Sequence, residues 1–167
     1  MDILAHGLWT GAAYKAVNKN RESKGRKPFN LKWAVFWGVF PDLFAFTIMF
    51  SWLIWGLAFG HLKFADLPGP QSVEPSPANT LPIFRFTRLL YGLSHSAVIF
   101  ILVFALVWLM QKKPVWELGA WLLHIFIDVP THTYRFYSTP FLWPISEWKF
   151  DGFSWGTPWF MVVNYSA

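Results

Sequence analysis

Apolar residues occur in this chain in long unbroken runs rather than in the stripes expected of helices that face water on one side. The stretch from Trp33 to Phe59 holds a single charged residue, Asp42, and exceeds the roughly 20 residues that cross a hydrocarbon core. It predicts a membrane-spanning helix. Pro41 lies inside it, where a missing N–H frees a backbone carbonyl and predicts a kink beside the charge. Leu89 to Met110 holds no acidic residue, lysine or arginine and predicts a second span, stopped by Lys112, Lys113 and Pro114. Ile3 to Val17 is apolar but shorter; it follows Asp2 without a positive leader region, so a retained helix is expected rather than a cleaved signal. Gly7 and Gly11 share one face of it, with Ala12 and Ala13 following, and would let another helix backbone approach closely.

Val115 to Val129 predicts a further short helix carrying Glu117, His124 and Asp128, ended by Pro130. It is too polar to face lipid on all sides. From His61 to Pro82 the chain turns polar, with Pro68, Pro70, Pro75, Pro77 and Pro82, which predicts a solvent-side loop. Thr131 to Ala167 is dense in Trp, Phe, Pro and Gly and predicts an irregular aromatic segment at headgroup level, with a new apolar run at Trp159. The expected fold is therefore all-α, a polytopic integral membrane bundle of about four helices with an irregular aromatic-rich C-terminal segment. Residues 1–167 form one domain in this reading.

Composition agrees: 54% of residues are hydrophobic and 14% charged, where a soluble domain carries about a quarter charged residues. The chain has no cysteine, so disulfides, thiolate catalysis and cysteine-bound metals are excluded, and any metal must be held by nitrogen and oxygen. A net charge of +5 raises the question of nucleic acid. Lys15, Lys19, Arg21, Lys24, Arg26, Lys27 and Lys32 lie in one polar segment, however, and Lys112 with Lys113 in another, both between apolar runs. That is the positive-inside pattern, and the basic stretch lacks interleaved stacking aromatics; no nucleic-acid partner is expected. With both segments cytoplasmic, the N-terminus, the proline-rich loop and the aromatic segment face the other side.

Ionisable groups inside membrane helices are costly, about 2.5 to 3.5 kcal/mol for an aspartate on insertion scales, so each calls for a partner or a task. Counting about 1.5 Å per residue from each cytoplasmic helix end places His6, Asp42 and His124 at about 14 to 15 Å, and Asp128 and His95 at about 20 to 22 Å. Glu117 falls near the cytoplasmic boundary. His124 and Asp128, four residues apart, share one helix face and can bind one metal or form a hydrogen-bonded pair. Taken singly, His6 reads as a polar interface residue, and His95, in Ser94-His95-Ser96, as a core histidine satisfied by hydroxyls. Asp42, after Pro41, can meet freed backbone or a cation. His132, just past Pro130, is either a returning loop ligand or an exposed loop histidine. Arg88 and Arg135 are candidate substrate-binding anion contacts at the outer mouth, or snorkelling anchors.

The succession Ala5-His6, Phe40-Pro41-Asp42, Leu93-Ser94-His95-Ser96, His124-x-x-x-Asp128 and Thr139-Pro140-Phe141-Leu142-Trp143-Pro144 resembles the bacterial family of membrane-bound metal-dependent hydrolases across nearly the whole chain. The resemblance implies metal binding by His6, Asp42, His95, His124 and Asp128. More distantly, the helix-borne His-x-x-x-Asp is similar to the zinc phospholipase C and P1 nuclease pattern, which implies phosphoester substrates. Where family members carry His-Arg-Gly before the third motif, this chain has Leu90-Tyr91-Gly92, and Asp42 is followed by Leu43-Phe44 rather than a second acid. The expectation is an enzyme of the bacterial inner membrane, its site facing away from the cytoplasm. A divalent ion, zinc by ligand chemistry, would activate water against a membrane-associated or lipid ester or phosphoester. Asp128 or Asp42 would serve as general base. The alternative is a metal-ion or proton transporter using the same groups as a pathway.

Overall fold

The computed structural model describes residues 1–64 and 81–167, so most of the expected proline-rich loop lies outside the described residues. All regular structure among the described residues is helical. Helix α1 (Ile3–Ser23) opens on Asp2, whose carboxylate accepts from the Ala5 N–H. It runs past Val17 through the basic residues, because lysine and arginine are good helix formers and nothing breaks the chain before Gly25, whose positive φ of 66° closes the helix. Helix α2 (Leu31–Ala58) is capped by the Asn30 side chain, which accepts from the Lys32 and Trp33 N–H groups. At 28 residues it is about 42 Å long, with Pro41 inside it.

The second expected span is not one helix. Helix α3 (Pro82–Ser94) and helix α4 (Ala97–Gln111) meet at a 60° bend at His95 and Ser96. Ser96 caps α4 by accepting from the Ile99 N–H, so a polar Ser-His-Ser triplet that could have continued a helix starts a new one instead. The backbone exposed by the break finds partners in the tertiary structure. Trp121 Nε1 donates to Ser94 O at 2.5 Å, Ala97 N donates to Phe141 O at 2.8 Å, and Ser96 Oγ donates to Trp143 O. Part of the aromatic segment thus closes the break rather than lying at a surface.

The last predicted helix also differs. A 3₁₀ turn (Trp116–Leu118) leads into helix α5 (Gly119–Thr131), which continues through Pro130 instead of ending at Val129. A proline in a final turn removes one N–H donor only, and the helix resumes with His132 N donating to Asp128 O at 3.1 Å. The Pro130 carbonyl in turn accepts from Phe153 N at 3.0 Å. The aromatic segment then ends in helix α6 (Pro158–Ser166), tied to α1 by Trp9 Nε1 donating to Asn164 Oδ1 at 2.6 Å and Tyr165 OH donating to Asp2 Oδ1 at 2.6 Å.

Helix α2 is the hub, packed against α1, α3 and α5. At one end of the bundle, Tyr14 OH donates to Trp116 O at 2.7 Å and Asn30 N to Glu117 Oε1 at 2.9 Å, which brings both basic segments to the same end. Of the glycines between α1 and α2, Gly38 is the most crowded, since Thr10 fills the place a Cβ would take; a Cβ at Gly7 would only touch Val35 and Val39, and one at Gly11 only Val35. The distribution of polarity is inverted relative to a water-soluble core. His6, Thr10, His95, Ser96, His124 and Asp128 are fully buried, while Leu4, Ile54, Leu102, Leu109 and Met110 are 61–73% exposed. By length and composition α2 can cross a membrane, and α3 with α4 can do so as one bent pair.

Candidate metal centre

Each helix that reaches the middle of the bundle delivers a ligand-type side chain there. His6 comes from the second turn of α1, Asp42 follows Pro41 in α2, His95 sits at the α3–α4 break, and His124 and Asp128 lie one turn apart on α5. His132, one further turn along, is brought onto the same stripe because α5 continues through Pro130. It is buried at 6% exposure rather than displayed in a loop.

Asp42, His95, His124 and Asp128 offer ligand atoms that all lie within 4.8 Å of one another. The two imidazole Nε2 atoms are 3.1 Å apart. His95 Nε2 is 3.4 Å from Asp42 Oδ1 and 3.4 Å from Asp128 Oδ2, and His124 Nε2 is 3.8 Å and 3.1 Å from the same oxygens. A tetrahedral ion with bonds of about 2.0 to 2.1 Å would set its ligand atoms about 3.3 to 3.4 Å apart, and these separations bracket that value.

The far side of each ring has a polar partner of its own. His124 Nδ1 is 2.7 Å from the Gly38 carbonyl, which can only accept, so Nδ1 carries the proton. His95 Nδ1 is 2.9 Å from Ser94 Oγ, which also lies 3.5 Å from Tyr91 O. Both rings turn Nε2 toward two carboxylates in a fully buried space. Four converging acceptors repel one another unless a cation or protons lie among them, and carbonyl or hydroxyl support on the outer ring nitrogen is the usual outer partner of a metal-bound histidine.

Asp128 has its other oxygen turned elsewhere. Oδ1 is 2.9 Å from His6 Nε2 and 3.4 Å from His132 Nε2, and it receives the Met1 amine, which also lies 2.8 Å from His132 Nε2. His6 stacks on His124 with centroids 3.5 Å apart, and Tyr91 stacks on His95 at 3.8 Å. Sequence reasoning passed over Thr10, Gly38, Tyr91 and Trp121 as supports of the site. Thr10 was within reach, since it stands four residues after His6 on the same face. Tyr91 and Trp121 act across helices, and no local spacing reports that.

One cavity borders the cluster and a second lies on the far side of Tyr91. The first, of about 370 Å³, is lined mostly by apolar side chains and includes Asp42 and His132. The other, of about 620 Å³, is lined by Arg85, Arg88, Lys149 and Glu147 among others. Arg88 borders that second cavity, whereas Arg135 is exposed on the turn between Thr133 and Phe136 and lines neither. No family model, no curated protein and no solved structure matches the chain. The likeness to the hydrolase family therefore stands on the quoted residues alone.

Proposed function

We propose that this protein is an integral membrane, metal-dependent hydrolase of the bacterial inner membrane, acting on a membrane-associated ester or phosphoester. The observation that carries this reading is the set of buried ligand atoms, with ring nitrogens already oriented by Gly38 O and Ser94 Oγ. The inverted polarity and the co-located basic segments support a bilayer setting with those segments cytoplasmic. Two nitrogen and two carboxylate donors without thiolate suit zinc.

Asp42, His95, His124 and Asp128 would hold the ion. Once bound, a divalent cation supplies Lewis acidity, polarising the ester oxygen and lowering the pKa of water toward about 7. Asp42 borders the apolar cavity, so its carboxylate meets substrate and receives the proton that leaves the attacking water. Asp128 does not line that cavity; with His6 and His132 holding Oδ1, it keeps Oδ2 aimed at His95 and His124. The proton that Asp42 takes from the water passes on to the leaving oxygen, while His132, also on the cavity wall, stands between Asp128 Oδ1 and the Met1 amine.

Elemental mass spectrometry of purified wild type, His124→Ala, Asp42→Asn and His61→Ala tests the first step. The expectation is about one ion per chain at this site in wild type and in His61→Ala, whose histidine is exposed beyond α2, and loss of most metal in the other two. Turnover of ester and phosphodiester reporters in detergent, with no gradient, tests the second. Absence of stoichiometric metal after reconstitution would overturn the reading, and metal with ion flux in liposomes but no turnover would replace it by the transporter.

A further inference from the structure

The apolar cavity is built as more than a passage for water. Ile3, Phe46, Met49, Phe50, Phe136 and Trp155 form most of its wall; its polar lining is Asp42 of the four-residue cluster, His132 beside that cluster, and Met1 and Asp2 at the start of α1. At its other side Leu4 is 73% exposed and Phe50 41% exposed, so the lining runs on into the apolar outer surface of α1 and α2. A site meant for a free, water-borne ester has no need of such a wall, because burying polar substrate surface there costs free energy without return. Apolar lining with a few polar groups at one end is the form of a site for an amphiphile.

We infer that this cavity seats a single hydrocarbon chain of a membrane lipid, with the ester or phosphoester head at Asp42 and His132. The inference rests on the proposed hydrolase reading and adds its substrate class. The chain enters sideways from the bilayer between the first turn of α1 and the middle of α2. The Arg85, Arg88 and Lys149 cavity is not this chain's place: it lies beyond Tyr91 and its rim is charged.

The test uses the purified full chain and a decylphosphonate carrying a photoactivated diazirine at the alkyl terminus, with adducts mapped by mass spectrometry and bound metal measured on the same sample. Adducts are expected on Ile3, Phe46, Met49 or Phe136. Unlabelled decylphosphonate should compete and methylphosphonate should not. Filling the cavity by Ile3→Trp should weaken competition about tenfold, the equivalent of losing about two buried methylenes, and Met49→Trp provides a second block from α2. Adducts confined to outward residues such as Ile54 and Leu109, or to the Arg85 cavity, would overturn the inference, as would equal competition by methylphosphonate. Cavity labelling in protein that never binds metal would instead sink the hydrolase reading and leave the lipid site standing.

Discussion

Replacing Gly38 by alanine puts the packing logic of the site to a severe test. A Cβ at Gly38 would overlap Thr10 Oγ1 and come within 2.8 Å of Thr10 Cβ and 2.9 Å of Thr10 Cγ2. Thr10 is fully buried and cannot rotate away without displacing α1, the helix that carries His6. At Gly11 a Cβ would lie 3.7 Å from Val35 Cγ2, and at Gly7 3.4 Å from Val39 Cγ1, contacts that need little or no adjustment. All three substitutions gain helix propensity, by up to about 1 kcal/mol each, so their differences isolate the overlap. Overpacking costs about 1 to 3 kcal/mol, which at about 2 to 4 °C per kcal/mol for a chain of this size is a gap of about 2 to 12 °C in Tm between Gly38→Ala and Gly11→Ala. Because Gly38 O also orients His124, metal affinity should fall about 10- to 100-fold in Gly38→Ala and stay unchanged in Gly11→Ala. Adding Thr10→Ala to Gly38→Ala should restore part of both losses. Thermal unfolding followed by circular dichroism in detergent, with metal titration of each variant, reads the result. Equal behaviour of the three glycine variants would refute the argument.

Other expectations follow from single contacts. Ser96→Ala removes both the α4 cap and the hydroxyl that holds Trp143 O, and should cost about 1 to 2 kcal/mol and weaken metal binding through His95; Ser96→Thr should keep most of both, and an unchanged Tm in Ser96→Ala would contradict the capped break. His132→Ala should leave metal stoichiometry intact while lowering kcat, since His132 lies outside the four-atom set; loss of the metal would make it a ligand. Cysteine at Glu147 should react with an impermeant reagent in intact spheroplasts and cysteine at Ser23 should not, with the reverse pattern inverting the orientation.

What the sequence by itself determined was coarse placement. The run from Trp33 to Phe59 is helical, as expected of an apolar stretch long enough to cross a hydrocarbon core, and helical rise alone put His6, Asp42, His95, His124 and Asp128 in one band of depth. The structure does gather these five side chains at the middle of the bundle. Where a helix breaks was a different matter. Pro130 looked like a stop, yet α5 passes through it because one lost donor is a small cost when Phe153 and Gly152 pack onto the Pro130 carbonyl from far along the chain. Ser94-His95-Ser96 looked like the inside of a span, yet the chain bends there because Trp121, Phe141 and Trp143 supply the hydrogen bonds that a bent backbone needs. The same division holds for the close approach of α1 and α2, which local spacing assigned to Gly7 and Gly11 and which the structure puts at Gly38. A helix records in its own sequence which faces are small or polar. Which of them meets a neighbour, and which carbonyl is left to orient a histidine, depends on the packing of the other helices, and only the tertiary structure decides it.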